Sequence, residues 1–130
     1  MIRTAIFLAM IISSALAPVA ADYAVAFAHM RSGDYESAYR ELRELSDRGY
    51  PVYQNMVARM HLEGKGVEAD PVMAHVWYTL SASQGNEEAM HAKVELEKGM
   101  SADQLLASRR LAEEYGALYV APIRPHWTLE

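Results

Sequence analysis

The sequence predicts an all-α chain of six helices, stacked as about three antiparallel pairs into an α-solenoid and followed by a proline- and aromatic-containing tail. Three observations lead there. Apolar residues recur at helical spacing in successive stretches separated by glycine turns. Asp, Asn and Ser stand where helices need N-terminal caps. Ala38 and Ala74 are 36 residues apart, and so are Gly49 and Gly85. A shared interval of this size marks stacked helix pairs.

The first 21 residues stand outside that plan. Met1-Ile2-Arg3 is a short basic start, Ala5 to Leu16 is an uncharged apolar run of 12 residues, and Val19-Ala20-Ala21 offers small residues at a cleavage position. This is the pattern of a secretory signal peptide over residues 1–21, cleaved before Asp22. An uncleaved anchor is the alternative, although 12 residues are short for a hydrocarbon core about 30 Å thick. No later stretch is apolar enough to span, so no stable membrane span is expected after cleavage.

Helices fill residues 22–116. The first runs from Asp22 to Ser32, with Tyr23, Ala26, Phe27 and Met30 on one stripe. Gly33-Asp34 is a turn with a cap, and Tyr35 to Arg48 is the second helix, stopped by Gly49. The third covers about Pro51 to Glu63. Gly64 and Gly66 then bracket a tight bend, where positive φ is cheap without a Cβ. Asp70 can accept from the free N–H groups of the fourth helix, and Pro71 suits its first position. That helix carries Val72, Met73, Val76, Trp77 and Leu80 at helical spacing and stops at Gly85. Asn86 caps the fifth, Glu87 to Lys98, with Glu87 and Glu88 favourably placed against its N-terminal dipole. Ser101-Ala102-Asp103-Gln104 fits a capping box for the sixth, expected to run to about Tyr115 before Gly116. Ala107 and Asp103 follow Ala74 and Asp70 by 33 residues.

Residues 117–130 break the pattern, because Pro122 and Pro125 exclude continuous helix. Leu118, Tyr119, Val120, Ile123 and Trp127 give this stretch more apolar surface than disordered tails usually carry. Two readings stand: it folds back over the last helix, or it binds a partner, which includes a neighbouring copy.

The central bend and helix carry a family resemblance. Gly64, Gly66, Val67, Asp70, Ala74, Trp77, Tyr78, Ala82, Gln84 and Gly85 match the loop and second helix of a Sel1-like repeat, a relative of the tetratricopeptide repeat, at ten positions over 22 residues. Ala58 stands where that family usually has glycine, and His61 where it usually has tyrosine. The Gly33-Asp34-Tyr35-Glu36-x-Ala38 turn resembles that of an ordinary tetratricopeptide repeat, and the last pair a degenerate closing repeat. The resemblance implies a right-handed stack. It also implies Trp77 packed between helices and, together with the leader, a bacterial envelope location, the periplasm.

Composition narrows the function. Removing Arg3 from the 12 Lys and Arg leaves 11 against 17 Asp and Glu, a formal net charge of −6. That disfavours nucleic acid, whose phosphates demand a basic face. There is no cysteine, which removes thiol chemistry and disulfides. Among the five histidines no H-E-x-x-H pattern occurs. His61 and His75 could approach across one helix pair, but two histidines without a third ligand make a weak zinc argument. No metal or cofactor is expected. The carboxylates fall on helix faces beside Lys or Arg, as in the i, i+4 pair Glu36–Arg40. No G-x-S-x-G or phosphate-cradling loop is present, and the scattered methionines suggest adaptable packing. Trp77 reads as core, with the Tyr78 hydroxyl directed toward a surface.

The expected function is therefore that of an interaction module, not an enzyme. Proteins of the resembled family act mostly as adaptors or scaffolds, and stacked pairs offer a concave surface to a peptide or partner helix. Helix order assigns Tyr23, Asn55, Arg59, Glu63 and His91 to that surface as exposed contacts. The alternatives are a small-molecule binder or enzyme acting on envelope fragments, and a self-assembling structural subunit.

Overall fold

The computed structural model describes residues 21–120. The leader other than Ala21, and the tail beyond Val120, lie outside the described residues. Six helices and no strand occupy this span: α1 (21–32), α2 (Tyr35–Asp47), α3 (Pro51–Glu63), α4 (Pro71–Ser83), α5 (Glu87–Glu97) and α6 (Ala102–Tyr119).

The local signals act as the sequence suggests. The Asp34 carboxylate accepts from Ser37 N–H at 3.1 Å and starts α2. Asp70 Oδ1 accepts from both Val72 and Met73 N–H at 3.0 Å, while Pro71 fills the first position of α4. Asn86 Oδ1 accepts from Ala89 N–H at 2.8 Å. At α6 the full capping box forms, Ser101 Oγ accepting from Gln104 N–H and Gln104 Oε1 from Ser101 N–H. Each cap satisfies donors that the helix itself leaves free.

α4 is the central element, packing against α3, α5 and α6. Ala38 and Ala74, the pair that set the repeat interval, are both fully buried. A methyl at these positions lets neighbouring helices approach closely. Buried amides and hydroxyls then lock one end of the stack. Gln54 Nε2 donates to the Ser46 carbonyl at 3.1 Å, Gln84 Nε2 donates to Gln54 Oε1 at 2.8 Å, and Ser81 Oγ donates to the Pro51 carbonyl at 2.6 Å. These bonds join the ends of α2 and α4 to the start of α3 without leaving the two buried glutamine and serine side chains unpaired.

Trp77 is completely buried, as expected, at the centre of an aromatic cluster. Tyr115 lies edge-on at 5.6 Å between ring centroids and Tyr119 stacks at 5.8 Å. The Arg43 guanidinium sits 4.7 Å from the Trp77 ring centre, and its Nη2 lies 3.5 Å from Tyr119 Oη. Asp47 accepts from Arg43 Nε at 2.7 Å. Burial is the largest single influence and opposes the charge on Arg43, but the hydrogen bond and charge of Asp47, joined by Tyr39, together outweigh it and its pKa stands above the ordinary arginine value. This cluster corrects the expected end of α6. The helix does not stop at Gly116 but continues to Tyr119. Gly116 faces Leu80 within the helix, and the next turn places Tyr119 on Trp77.

The register of α6 also differs from the expectation. Ala107 is exposed, and the residue fully buried against α4 is Ser108. His75 of α4 selects it. His75 Nδ1 is 2.5 Å from Ser108 Oγ, and its Nε2 is 2.7 Å from Glu97 Oε1. A carboxylate only accepts, so in the neutral imidazole Nε2–H donates to Glu97 and the Ser108 hydroxyl donates to Nδ1. One buried ring thus ties α4 to both α5 and α6.

Two predictions follow from these contacts. Gly66 has φ +74°, and a Cβ there would overlap the Tyr35 carbonyl. Gly85 has φ +92° with open space around it. Gly85→Ala should therefore cost only the left-handed backbone penalty, about 1 kcal/mol, whereas Gly66→Ala should cost about 3 kcal/mol; urea midpoints measure both. The second concerns acid. The hydrogen bond to His75 holds the Glu97 carboxyl below its ordinary range; burial opposes this and Lys93, His75 and Arg109 add to it. Its folded pKa lies below its unfolded one, so the carboxylate stabilises the fold above the unfolded value of about 4.3 and that contribution fades as pH falls through the folded value. The urea midpoint should fall on acidification through this interval, and Glu97→Gln should make that fall shallower.

Candidate functional site

The helix ends that fix the stack leave one groove open between α1, α2 and α3. Met30, Met56 and Met60 line it with Tyr35 and Leu42, and Arg59, Glu63 and Lys65 form its rim. Its volume is about 210 Å³. The methionines arrive from α1 and α3 at helical spacing, which turns them toward the seam between those helices. Unbranched thioether chains of this kind adapt to varied apolar surfaces. Lys65 stands 5.4 Å from the Tyr35 ring centre and 3.2 Å from Glu63 Oε2. Arg59 Nη1 is 3.8 Å from Glu88 Oε1 on α5. The rim thus alternates in charge, with both pairs open to solvent and able to exchange partners.

Of the five residues expected on the interaction surface, the structure brings two into this groove, Arg59 and Glu63. Tyr23 is exposed but joins a separate row of aromatic rings, stacking on Phe27 at 6.0 Å and facing Tyr53 at 5.8 Å. His91 is exposed on α5 and lines no part of the groove. Asn55 is a correction: it is buried, 5 % exposed, and its Oδ1 has no hydrogen-bond partner among the described residues. α3 is packed by α2 on one side and α4 on the other. The stripe left facing solvent is consequently narrower than helix order suggests. Tyr78 is also buried, and burial chiefly pushes its phenol up, Arg59 opposing and Glu63 and Glu88 adding. It belongs to the hydrophobic core, not to the groove lining.

The remaining repeat residues act in the scaffold. Gly64 ends α3 in the left-handed conformation, Val67 and Ala82 pack against the core, and Gln84 holds Gln54. His61 and His75 do not converge. His61 Nε2 meets Tyr39 Oη at 3.1 Å, with its pKa lowered by burial, while His75 serves Ser108 and Glu97. Among the described residues no group of three His, Cys, Asp or Glu could hold a metal ion.

The Ser108–His75–Glu97 series has the residue types of a hydrolytic triad, and sequence spacing gave no hint of it. Ser108, however, is fully buried between helices. A nucleophile needs an approach path for its substrate and donors around the oxyanion, whereas this hydroxyl is enclosed by the helix contact. The series holds three helices together. Beside it, His75, Thr79, Lys93, Glu97, Arg109, Ala112 and Glu113 line an open cleft of about 330 Å³ in which basic and acidic groups balance. Arg43, the residue that organises the aromatic cluster, was also missed by sequence reasoning. Its only local signal is the i, i+4 pairing with Asp47; its partners on α4 and α6 are distant in sequence.

No curated protein matches this chain. Among solved structures the chain is similar to a protective antigen present in uropathogenic Escherichia coli strains, displaying an SLR fold. The TM-score is 0.75 at 23 % sequence identity, and the match covers 79 % of this chain. The chain spans 23 % of the length of that antigen, so the likeness concerns the helical-repeat fold alone. No described helix is long and apolar enough to cross a membrane. The family model of the Sel1 repeat matches residues 51–86, which are α3, the glycine loop, α4 and the turn that follows, so the central helix pair is the part of this chain that is similar to a Sel1 repeat.

Proposed function

We propose that this protein is a periplasmic adaptor that holds a peptide or a partner's helix in the methionine-lined groove between α1, α2 and α3. The observation that carries the reading is the groove itself: an open apolar floor of Met30, Met56 and Met60 under a rim of Arg59, Glu63 and Lys65. Such a floor accepts an aliphatic or aromatic side chain of an incoming segment, and the rim orients the segment through its charges. The Sel1 repeat at the centre supports a protein partner, since repeats of this kind commonly mediate protein–protein contact. Export to the periplasm rests on the leader pattern of residues 1–21. The net negative charge of the exported chain, −6 without Arg3, keeps nucleic acid off the list of partners.

The test is made in the cell of origin. A photo-crosslinking amino acid at position 59 should capture one reproducible protein from the envelope fraction, and Met56→Glu should remove that adduct by placing a charge on the floor. N-terminal sequencing of the exported protein should begin at Asp22. An adduct yield untouched by Met56→Glu would reject the groove as the binding surface. A full-length chain retained in the cytoplasm would reject the location.

A further inference from the structure

A second surface lies away from the groove. Phe27 and Tyr23 stack at 6.0 Å, Tyr23 faces Tyr53 at 5.8 Å, and Tyr53 meets Tyr50 edge-on at 6.0 Å. The four rings form one continuous row across α1 and the start of α3. A guanidinium closes each end, Arg31 at 6.0 Å from the Phe27 centroid and Arg48 at 5.6 Å from that of Tyr50. Arg48 is itself anchored to Asp22 at 3.2 Å. Tyr23, Phe27 and Tyr50 are between a third and a half exposed, so the row presents ring faces to solvent instead of packing them away. None of the four belongs to the groove.

We infer that this aromatic row is the docking site of the chain's own C-terminal segment, residues 121–130. The first argument is position. α6 runs in the same direction as α4, since His75 meets Ser108 near their starts and Trp77 meets Tyr119 further along. The end of α4 lies at the start of α3, where Ser81 bonds the Pro51 carbonyl. Val120 therefore leaves α6 at the same end of the stack as Tyr50, Tyr53 and Tyr23. The contacts trace the route: Tyr119 touches Arg43, Arg43 bonds Asp47, and Arg48 next to it stacks on Tyr50.

The second argument is reach. The route crosses two helix spacings of about 10 Å each. The ten residues 121–130 span about 31 Å as a polyproline helix. The third argument is chemistry. The segment reads Ala-Pro-Ile-Arg-Pro-His-Trp-Thr-Leu-Glu, with Pro122 and Pro125 in a P-x-x-P arrangement and Trp127 two residues on. Proline-rich segments dock on exposed aromatic rows because the ring is apolar and φ is already set, so little entropy is lost on ordering. Ile123 and Trp127 bring apolar surface that gains by covering such rings.

The molecule supplies its own reporter, because its only tryptophans are Trp77 and Trp127. The protein is purified after expression of the full sequence with 5-fluorotryptophan, and Trp127→Phe assigns the two fluorine resonances. A soluble gadolinium chelate should broaden the Trp127 resonance several-fold less than that of free fluorotryptophan, at every protein concentration. Tyr23→Ala with Tyr53→Ala, or the exposed Tyr50→Ala alone, should abolish this protection while the core Trp77 resonance keeps its position and shows the fold intact. Trp127 as accessible as the free amino acid would overturn the inference. So would protection that survives these substitutions, which would place the segment elsewhere, such as the groove lined by Leu80, Gly116 and Val120. Protection that is lost on dilution would assign the row to a second copy and overturn intrachain docking. Since the row is separate from the methionine groove, none of these outcomes decides the adaptor reading.

Discussion

The guanidinium of Arg43 over Trp77 is the contact through which α2 and α6 are held to α4. Arg43 belongs to α2, Trp77 to α4, and Tyr115 and Tyr119 to α6, and the four side chains meet in one cluster. A cation over an indole is worth about 0.5–2 kcal/mol, the larger figure where water is excluded. The tryptophan itself matters more, since truncating a buried Trp costs about 3–5 kcal/mol. Trp77 Nε1 finds no partner among the described residues, so the cluster carries the desolvation of that N–H and still forms. Contact with two tyrosine rings, Tyr115 edge-on and Tyr119 stacked, and the hydrogen-bonded Arg43–Asp47 pair outweigh it.

That contact explains why some of the fold is legible in the sequence and some is not. The helix boundaries at α3 and α4 follow from Pro51, Gly64, Asp70 and Pro71, each acting on backbone within a few residues of itself. Ala38 and Ala74 repeat because the same close helix approach recurs, and periodicity exposes that. Gly116 misleads because glycine usually marks a helix end, whereas here the helix continues through it and its next turn places Tyr119 on Trp77. The advantage lies in α4, over thirty residues away, and no local pattern encodes it.

The surface is less legible than the core for a related reason. Helix order correctly puts Arg59 and Glu63 outside, but it fails for Asn55, whose burial depends on how closely α2 and α4 close over α3. The groove methionines, Met30, Met56 and Met60, stand in the sequence as scattered apolar residues on two helices. They become a floor only when α1 and α3 lie side by side. Equally, Phe27, Tyr23, Tyr53 and Tyr50 look like parts of two helical stripes, and it is the pairing of α1 with α3 that makes them one row.

A stack of repeats normally owes its stability to contacts between neighbours, so that any unit can loosen without the rest. The Arg43 cluster departs from this, because α6 passes over α4 to reach α2 and so links units that are not adjacent in the chain. His75 adds a second link by holding α5 and α6 to α4. Such links make opening more cooperative, since moving α6 disturbs α2 as well as α4. Neither Arg43 with its aromatic partners nor His75 lines the methionine groove. An unfilled apolar floor is costly in a protein that must hold itself together by packing without a disulfide, unless stability is supplied elsewhere. The aromatic clasp on α2, α4 and α6 supplies it, and the methionine groove stays open.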